Sequence, residues 1–175
     1  MSLYGASVET GLHCLVSLVY PPSSGSPSTR ELAEFQGVSP SYVAKLFTRL
    51  AKAGLITSAE GIQGGFQLAK DPSKISLWDV ISVLEPDKPL FQCREIRREI
   101  VLFNQKPPRW ATSGLCPIHA AMQEAENSMR QSLEAVTLAD IANQVGESIP
   151  NGFSEKRNSW FAGRLSSRRE SKTTK

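Results

Sequence analysis

Four side chains in this sequence have the types and spacing to hold a metal. Glu9 and His13 stand four residues apart in "VETGLHC". On a helix that spacing stacks a carboxylate and an imidazole on one side, one turn apart. Cys93 in "LFQCREIR" and Cys116 in "GLCPIHAAM" bracket a loop outside any core pattern. Cys116 directly precedes Pro117 at the start of a long helical pattern, where the macrodipole favours the thiolate that binds metals or reacts. Two thiolates, one imidazole and one carboxylate form a four-ligand set of the kind that suits zinc. The third cysteine, Cys14, falls on a different face from His13 and reads as structural.

These residues need a scaffold, and the stretch from Ser28 to Ala69 supplies it. Ser28 with Glu31 has capping-box spacing, and Leu32, Ala33 and Phe35 give a short helix an apolar side before Gly37 ends it. Ser39 is a good N-cap, and Pro40 follows where a first-turn proline is tolerated. The second helix carries Val43, Leu46, Phe47 and Leu50 at helical spacing until Gly54 stops it. Two strands, Leu55–Ser58 and Phe66–Ala69, flank a turn whose Gly61, Gly64 and Gly65 permit positive φ.

The pattern is a winged helix-turn-helix, and the fold class is mainly α with one small wing. The outer face of the second helix bears hydroxyls and cations that reach phosphate and base edges. We expect Tyr42 and Lys45 near base edges, with Ser39, Ser41, Arg49 and the wing tip Gln63, Gly64 and Gly65 towards phosphate or the minor groove. Double-stranded DNA is therefore the expected partner.

Elsewhere the pattern predicts a first helix over Ser7–Val19, with Val8, Leu12, Leu15, Val16 and Val19 as its core stripe. A capping box at Ser76 and Asp79 opens a helix over Leu77–Leu84. Arg94–Phe103 reads as one short helix, and Asn104–Leu115 as a proline-containing loop. A long helix from Pro117 to about Val136 keeps Ile118, Ala121, Met122, Ala125, Met129, Leu133 and Val136 in a near-heptad stripe, which points to a homodimer seam. Thr137 and Asp140 open a last short helix to about Val145. His119 is expected to face solvent in the first turn of the long helix. The domain organisation is then 1–84 winged helix-turn-helix, 85–116 a loop region carrying Cys93 and Cys116, 117–145 dimerisation helix with a short C-terminal helix, and 146–175 a disordered basic tail, with Phe153, Trp160 and Phe161 docking only transiently.

The bulk numbers fit this layout. The 175-residue chain has a net charge of +3 and 40% hydrophobic residues. Its cations concentrate at the end: Lys156, Arg157, Arg164, Arg168, Arg169, Lys172 and Lys175 face only Glu147, Glu155 and Glu170 after residue 146. Bulk charge thus says nothing for DNA binding by the folded part. No apolar run approaches membrane-span length, the N-terminus lacks a cleavable signal pattern, and three cysteines make no disulfide framework; the expectation is a cytoplasmic protein.

The segments "SPSYVAKLFTRLAKAGLITS", "GIQGGFQL", "ISLWDVISVLE" and "VTLADI" make residues 3–142 resemble the Rrf2 family of bacterial winged-helix transcription regulators (IscR, NsrR, CymR and relatives). The resemblance implies a homodimer with crossed long helices and, in many members, an iron–sulfur cluster near that helix. The usual cluster loop has three closely spaced cysteines; here there are two, far apart. That narrows the likeness to the RsrR-like redox regulators, which implies a [2Fe–2S] cluster held by Glu9 and His13 of one protomer and Cys93 and Cys116 of the other. The family wing reads Ser-x-Arg-Gly, whereas Ser58-Ala59-Glu60-Gly61 has an acid in place of the arginine, implying fewer backbone contacts and a different sequence preference. A cluster-free thiol switch through Cys93 and Cys116, a zinc site in the same ligands, and an enzyme using Cys116 and His119 remain alternatives. No substrate pocket or oxyanion arrangement supports the enzyme, and no catalytic residue is assigned.

Overall fold

The computed structural model describes residues 3–59, 64–86 and 89–173. They form two compact units, one of 3–86 with 133–173 and one of 89–132.

The first unit is built on α1 (Ala6–Val19). Its Val8, Cys14, Leu15 and Leu18 are buried, and it packs against α2 (Thr29–Gln36), α3 (Pro40–Lys52), α4 (Leu77–Leu84), α7 (Leu138–Ser148) and strand β2 (Phe66–Leu68). Val43, Leu46, Phe47 and Leu50 of α3 point into the same core. The 3.6-residue spacing read from the sequence is thus the buried face.

Local chemistry fixes where these helices begin. At Ser28, Ser76 and Thr137 the side chain accepts the backbone N–H three residues on, and Glu31, Asp79 and Asp140 return the bond to the capping residue's own N–H. Each such cap is worth about 1 kcal/mol. The Thr137 hydroxyl and backbone N–H, both donating to it, hold the Asp140 carboxyl below the usual carboxylate range. Ser39 occupies the N-cap position of α3, but its hydroxyl pairs with Ser41 Oγ at 2.9 Å rather than with the helix N–H groups. Gly37 ends α2 at φ +69°, the left-handed turn that an L side chain takes only with strain.

The wing pairs β1 (Ile56–Ser58) antiparallel to β2, with Ile56 opposite Leu68 and Ser58 opposite Phe66. Phe66 stands edge-on to Phe47 at 5.1 Å and ties the wing to α3. At the turn end of the wing Gly65 lies so close to the Ser26 and Pro27 carbonyls that a Cβ would fall 2.1 Å from Ser26 O. The start of α7 is stitched to the start of α4 by Leu77 N–H to Val136 O and Leu138 N–H to Ile75 O, both 2.9 Å.

The second unit holds a short helix α5 (Arg109–Thr112) and most of α6 (Pro117–Glu134). The charged stretch expected as one helix over 94–103 instead makes two 3-10 turns, Ile96–Arg98 and Val101–Phe103. Left-handed Glu95 and Asn104 bound them and stop the helix from propagating. The loop expected over 104–115 contains α5.

The largest correction is at the C-terminus. Residues 146–175 were expected to be disordered on composition, yet α7 runs on to Ser148 and α8 spans Phe153–Thr173. Helix α8 is docked: Phe161 and Leu165 are buried, and Phe35 of α2 meets the rings of Trp160 and Phe161 at 5.5 and 5.1 Å. A narrow apolar stripe suffices because α2 offers a matching aromatic.

Phe161→Ala should therefore cost about 3–5 kcal/mol in urea unfolding, the usual loss for a fully buried Phe, and expose α8 to limited proteolysis. Wild-type stability with an intact C-terminus would contradict the docking.

Candidate functional site

Two groups of side chains carry the chemistry, one in each unit. In the first, the buried face of α1 leaves Glu9 and His13 exposed on its other side, one turn apart as their spacing requires. Both line a groove of about 850 Å³ between α1, α7 and α8, with Leu12, Val16, Ile141 and Arg157 among its walls. The groove is mainly apolar, so a ligand atom bound at this pair would be partly shielded from water. The Gln36 amide donates to the His13 carbonyl and to Ser17 Oγ, both at 3.3 Å, and holds α2 against this turn of α1.

In the second unit Cys93 and Cys116 are both half-buried and free. Cys116 caps α6, its carbonyl accepting Ala120 N–H at 2.9 Å, so its side chain sits at the positive end of an 18-residue helix. Cys93 lies in a group the spacing alone did not show. Its Sγ, a Glu95 carboxylate oxygen and a His119 ring nitrogen all lie within 4.8 Å of one another. Glu95 makes this possible by adopting φ +51°, a left-handed turn costing roughly 1–2 kcal/mol for a non-glycine residue. The turn also lets Glu95 N–H donate to Cys93 Sγ at 3.4 Å.

The Arg97 guanidinium, bonded to Glu95 at 2.8 Å, holds that carboxyl below the usual carboxylate range. Arg97 also donates to Gly114 O at 2.6 Å, fastening the segment just before Cys116. His119 does not stand free in solvent as expected: it is half-buried, its ring tilted against Phe91 at 6.2 Å. Glu95 and His119 were missed because they lie 24 positions apart in the sequence, and only the reversed turn at Glu95 brings them together. Cys116 is outside this three-residue group.

Cys14 packs in the core, as its position on α1 predicts. It is fully buried, and burial pushes its thiol up to about 12.

The candidate nucleic-acid surface is the outer face of α3. Ser39, Ser41, Lys45, Thr48 and Arg49 are exposed and Tyr42 is half-buried. The Arg49 guanidinium is already engaged, donating to Val83 O at 2.5 Å, which orients it along the end of α4. Gly64 and Gly65 lie at the turn end of the wing, where Gly65 O accepts Ala59 N–H at 2.9 Å, and Gly65 is buried; Gln63, Glu60 and Gly61 lie outside the described residues.

Comparison with known proteins gives this geometry a context. A family model described as "Rrf2: Iron-dependent Transcriptional regulator" matches residues 4–144. The Rrf2 protein of Nitratidesulfovibrio vulgaris is 34% identical over 131 residues, covering 75% of this chain and 81% of its own. IscR of T. potens superposes with a TM-score of 0.63 at 25% identity, over 86% of this chain and 93% of that one. CymR, the global cysteine regulator of B. subtilis, shares the fold with a TM-score of 0.60 at 22% identity, over 82% and 98% of the two chains.

In metal-free native protein at pH 8, a disulfide reagent such as dithionitrobenzoate should titrate Cys93 and Cys116 and spare Cys14. With a pKa near 12 its thiolate fraction there is only about one in ten thousand. Three reactive thiols in the folded state would contradict the burial of Cys14.

Proposed function

The chain belongs to the Rrf2 family of transcriptional regulators, and we propose that it is a homodimeric, redox-sensing member, switched by a [2Fe–2S] cluster that Glu9 and His13 of one protomer share with Cys93 and Cys116 of its partner. Its family acts through DNA rather than by catalysis. No described helix is long and apolar enough to cross a membrane, and we place its work in the cytoplasm.

The observation that carries the reading is the sorting of donors. Cys14 is sealed in the core, whereas Cys93, Cys116, Glu9 and His13 all remain accessible on fixed backbone. This donor set fits the cluster: two sulfurs satisfy its need for thiolate, and the imidazole and carboxylate complete four positions. Bound there, the cluster supplies a one-electron change at a raised potential, because replacing thiolate with histidine lowers the negative charge on iron.

The chain's own residues supply the rest. Glu9 and His13 ride on α1, whose opposite face packs on α2 and α3. Cys116 rides on the N-terminus of α6, where Ala121, Ala125 and Ile118 remain exposed and no residue of the helix is buried. That stripe is the surface a second long helix would cover. A ligand set divided between protomers makes the angle of one helix-turn-helix to the other depend on how it is filled. Two recognition helices must span half-sites about 34 Å apart, so a small rotation changes affinity steeply. Ser39, Ser41, Tyr42, Lys45, Arg49, Gln63 and Gly64 are the proposed DNA contacts; Gly65, expected among them, is instead buried against Ser26 and Pro27 and positions the wing.

A second reading has its own observation. The closeness of Cys93, Glu95 and His119 suits zinc or another single transition metal held within one protomer, spectroscopically silent if zinc.

Anaerobically purified protein decides between them. The cluster reading predicts visible absorbance, iron with acid-labile sulfide, and an electron paramagnetic resonance signal after dithionite reduction. Cys116→Ala and His13→Ala should abolish these and His119→Ala should spare them. Colourless protein that holds zinc, and loses it on His119→Ala but keeps it on His13→Ala, would overturn the cluster in favour of the single-metal site.

A further inference from the structure

Helix α8 turns two kinds of side chain towards the body of the first unit. Ser154, Arg157, Asn158, Phe161 and Leu165 fall on one side of the helix by their spacing. The last two are buried. The first three line the groove beside α1. A helix that docks by an apolar stripe therefore presents polar groups where it faces a mainly apolar hollow.

The groove, about 850 Å³, is of the size that takes a small molecule, and such sites set a few polar groups in apolar walls. Leu12 and Val16 of α1 and Ile141 and Val145 of α7 supply the apolar walls. Helical rise gives its extent along α1. From Val19, at the end of that helix, back to His13 is about 9 Å, and back to Glu9 about 15 Å.

Arg157 belongs to the far end from Glu9 and His13. One of its terminal nitrogens donates to Tyr20 O, directly after α1. Its Nε is buried and has no hydrogen-bond partner. Among the described residues no carboxylate lies within ion-pair distance of it. Burial disfavours its charged form, and a buried charged donor left unpaired is costly. The planar fork of a guanidinium matches a carboxylate, which accepts two parallel N–H bonds from it. Asn158 and Ser154, on the same side of α8, add neutral donors.

We propose that this end of the groove binds a small apolar carboxylic acid, its ionised head paired with Arg157 and its chain laid against Leu12, Val16, Ile141 and Val145. Such a ligand touches α1, α7 and α8 at once, and α1 packs on the helix-turn-helix by its other side, so the site has the position of an effector pocket. It does not depend on the cluster, because Arg157 meets α1 at the opposite end from Glu9 and His13.

The test is isothermal titration calorimetry of octanoate into the anaerobically purified full chain, with octanol, which lacks the charge, as the comparison. Octanoate should saturate one site per protomer and bind about tenfold more tightly than octanol, the scale of one charge-assisted pair. Arg157→Met keeps the apolar stem and should lower octanoate affinity about tenfold while leaving octanol affinity unchanged. The octanol arm also reports whether the groove survives the substitution, since Arg157 holds the end of α1. Heats that do not saturate, or equal affinity for the two ligands in the wild type, would overturn the proposal. So would equal loss of both in Arg157→Met, which would mark Arg157 as structural. Iron does not enter the readout: colourless protein that binds octanoate would remove the cluster alone, and cluster-loaded protein that ignores octanoate would remove this site alone.

Discussion

The packing of α1 is the constraint on which the other features rest. One side of this helix is sealed by Val8, Cys14, Leu15 and Leu18 against the helix-turn-helix, the wing strand, α4 and α7. Interiors packed to crystal-like density transmit displacement rather than absorb it. The opposite side holds Glu9 and His13 in a groove walled by α7 and α8. A pull on that pair therefore acts on the same rigid body that presents α3 to DNA. If the pair sat on a loop, filling it would cost ordering entropy and move nothing.

The second unit has a different character. Ile96, Val101, Leu102, Trp110 and Ile118 are each more than half exposed, an unusual density of apolar surface for so short a segment. Such surface, together with an α6 in which no residue is fully buried, is what an obligate partner would cover. Polar bonds rather than a core set the internal order here. Arg97 alone links Glu95 to Gly114 and so relates the Cys93 turn to the segment leading into Cys116.

How much of this was legible beforehand follows from the range of each signal. The three capping boxes, the Gly37 turn, the apolar spacing of α3 and the burial of Cys14 are encoded within a few residues, and the structure forms them as read. The docking of α8 depends on Phe35, more than a hundred residues away, so composition alone pointed to disorder. The Cys93, Glu95 and His119 group depends on one left-handed glutamate, a conformation with no sequence signature of the kind glycine gives. The shift of Ser39 from capping to pairing with Ser41 was hidden because both arrangements use the same hydroxyl. Local rules found the frame of the site, and long-range contacts supplied its additional donors and its outer wall.

Completion of the ligand set across the dimer, as proposed, is tested directly by subunit complementation. Chains carrying Glu9→Ala with His13→Ala, and chains carrying Cys93→Ala with Cys116→Ala, would be separately tagged, coexpressed and purified anaerobically as the heterodimer. Each parent homodimer should be colourless. The heterodimer unites one intact pair of each kind at one of two symmetry-related sites, so it should recover about half the wild-type iron, sulfide and reduced-state resonance signal. A heterodimer as colourless as its parents would contradict shared ligation.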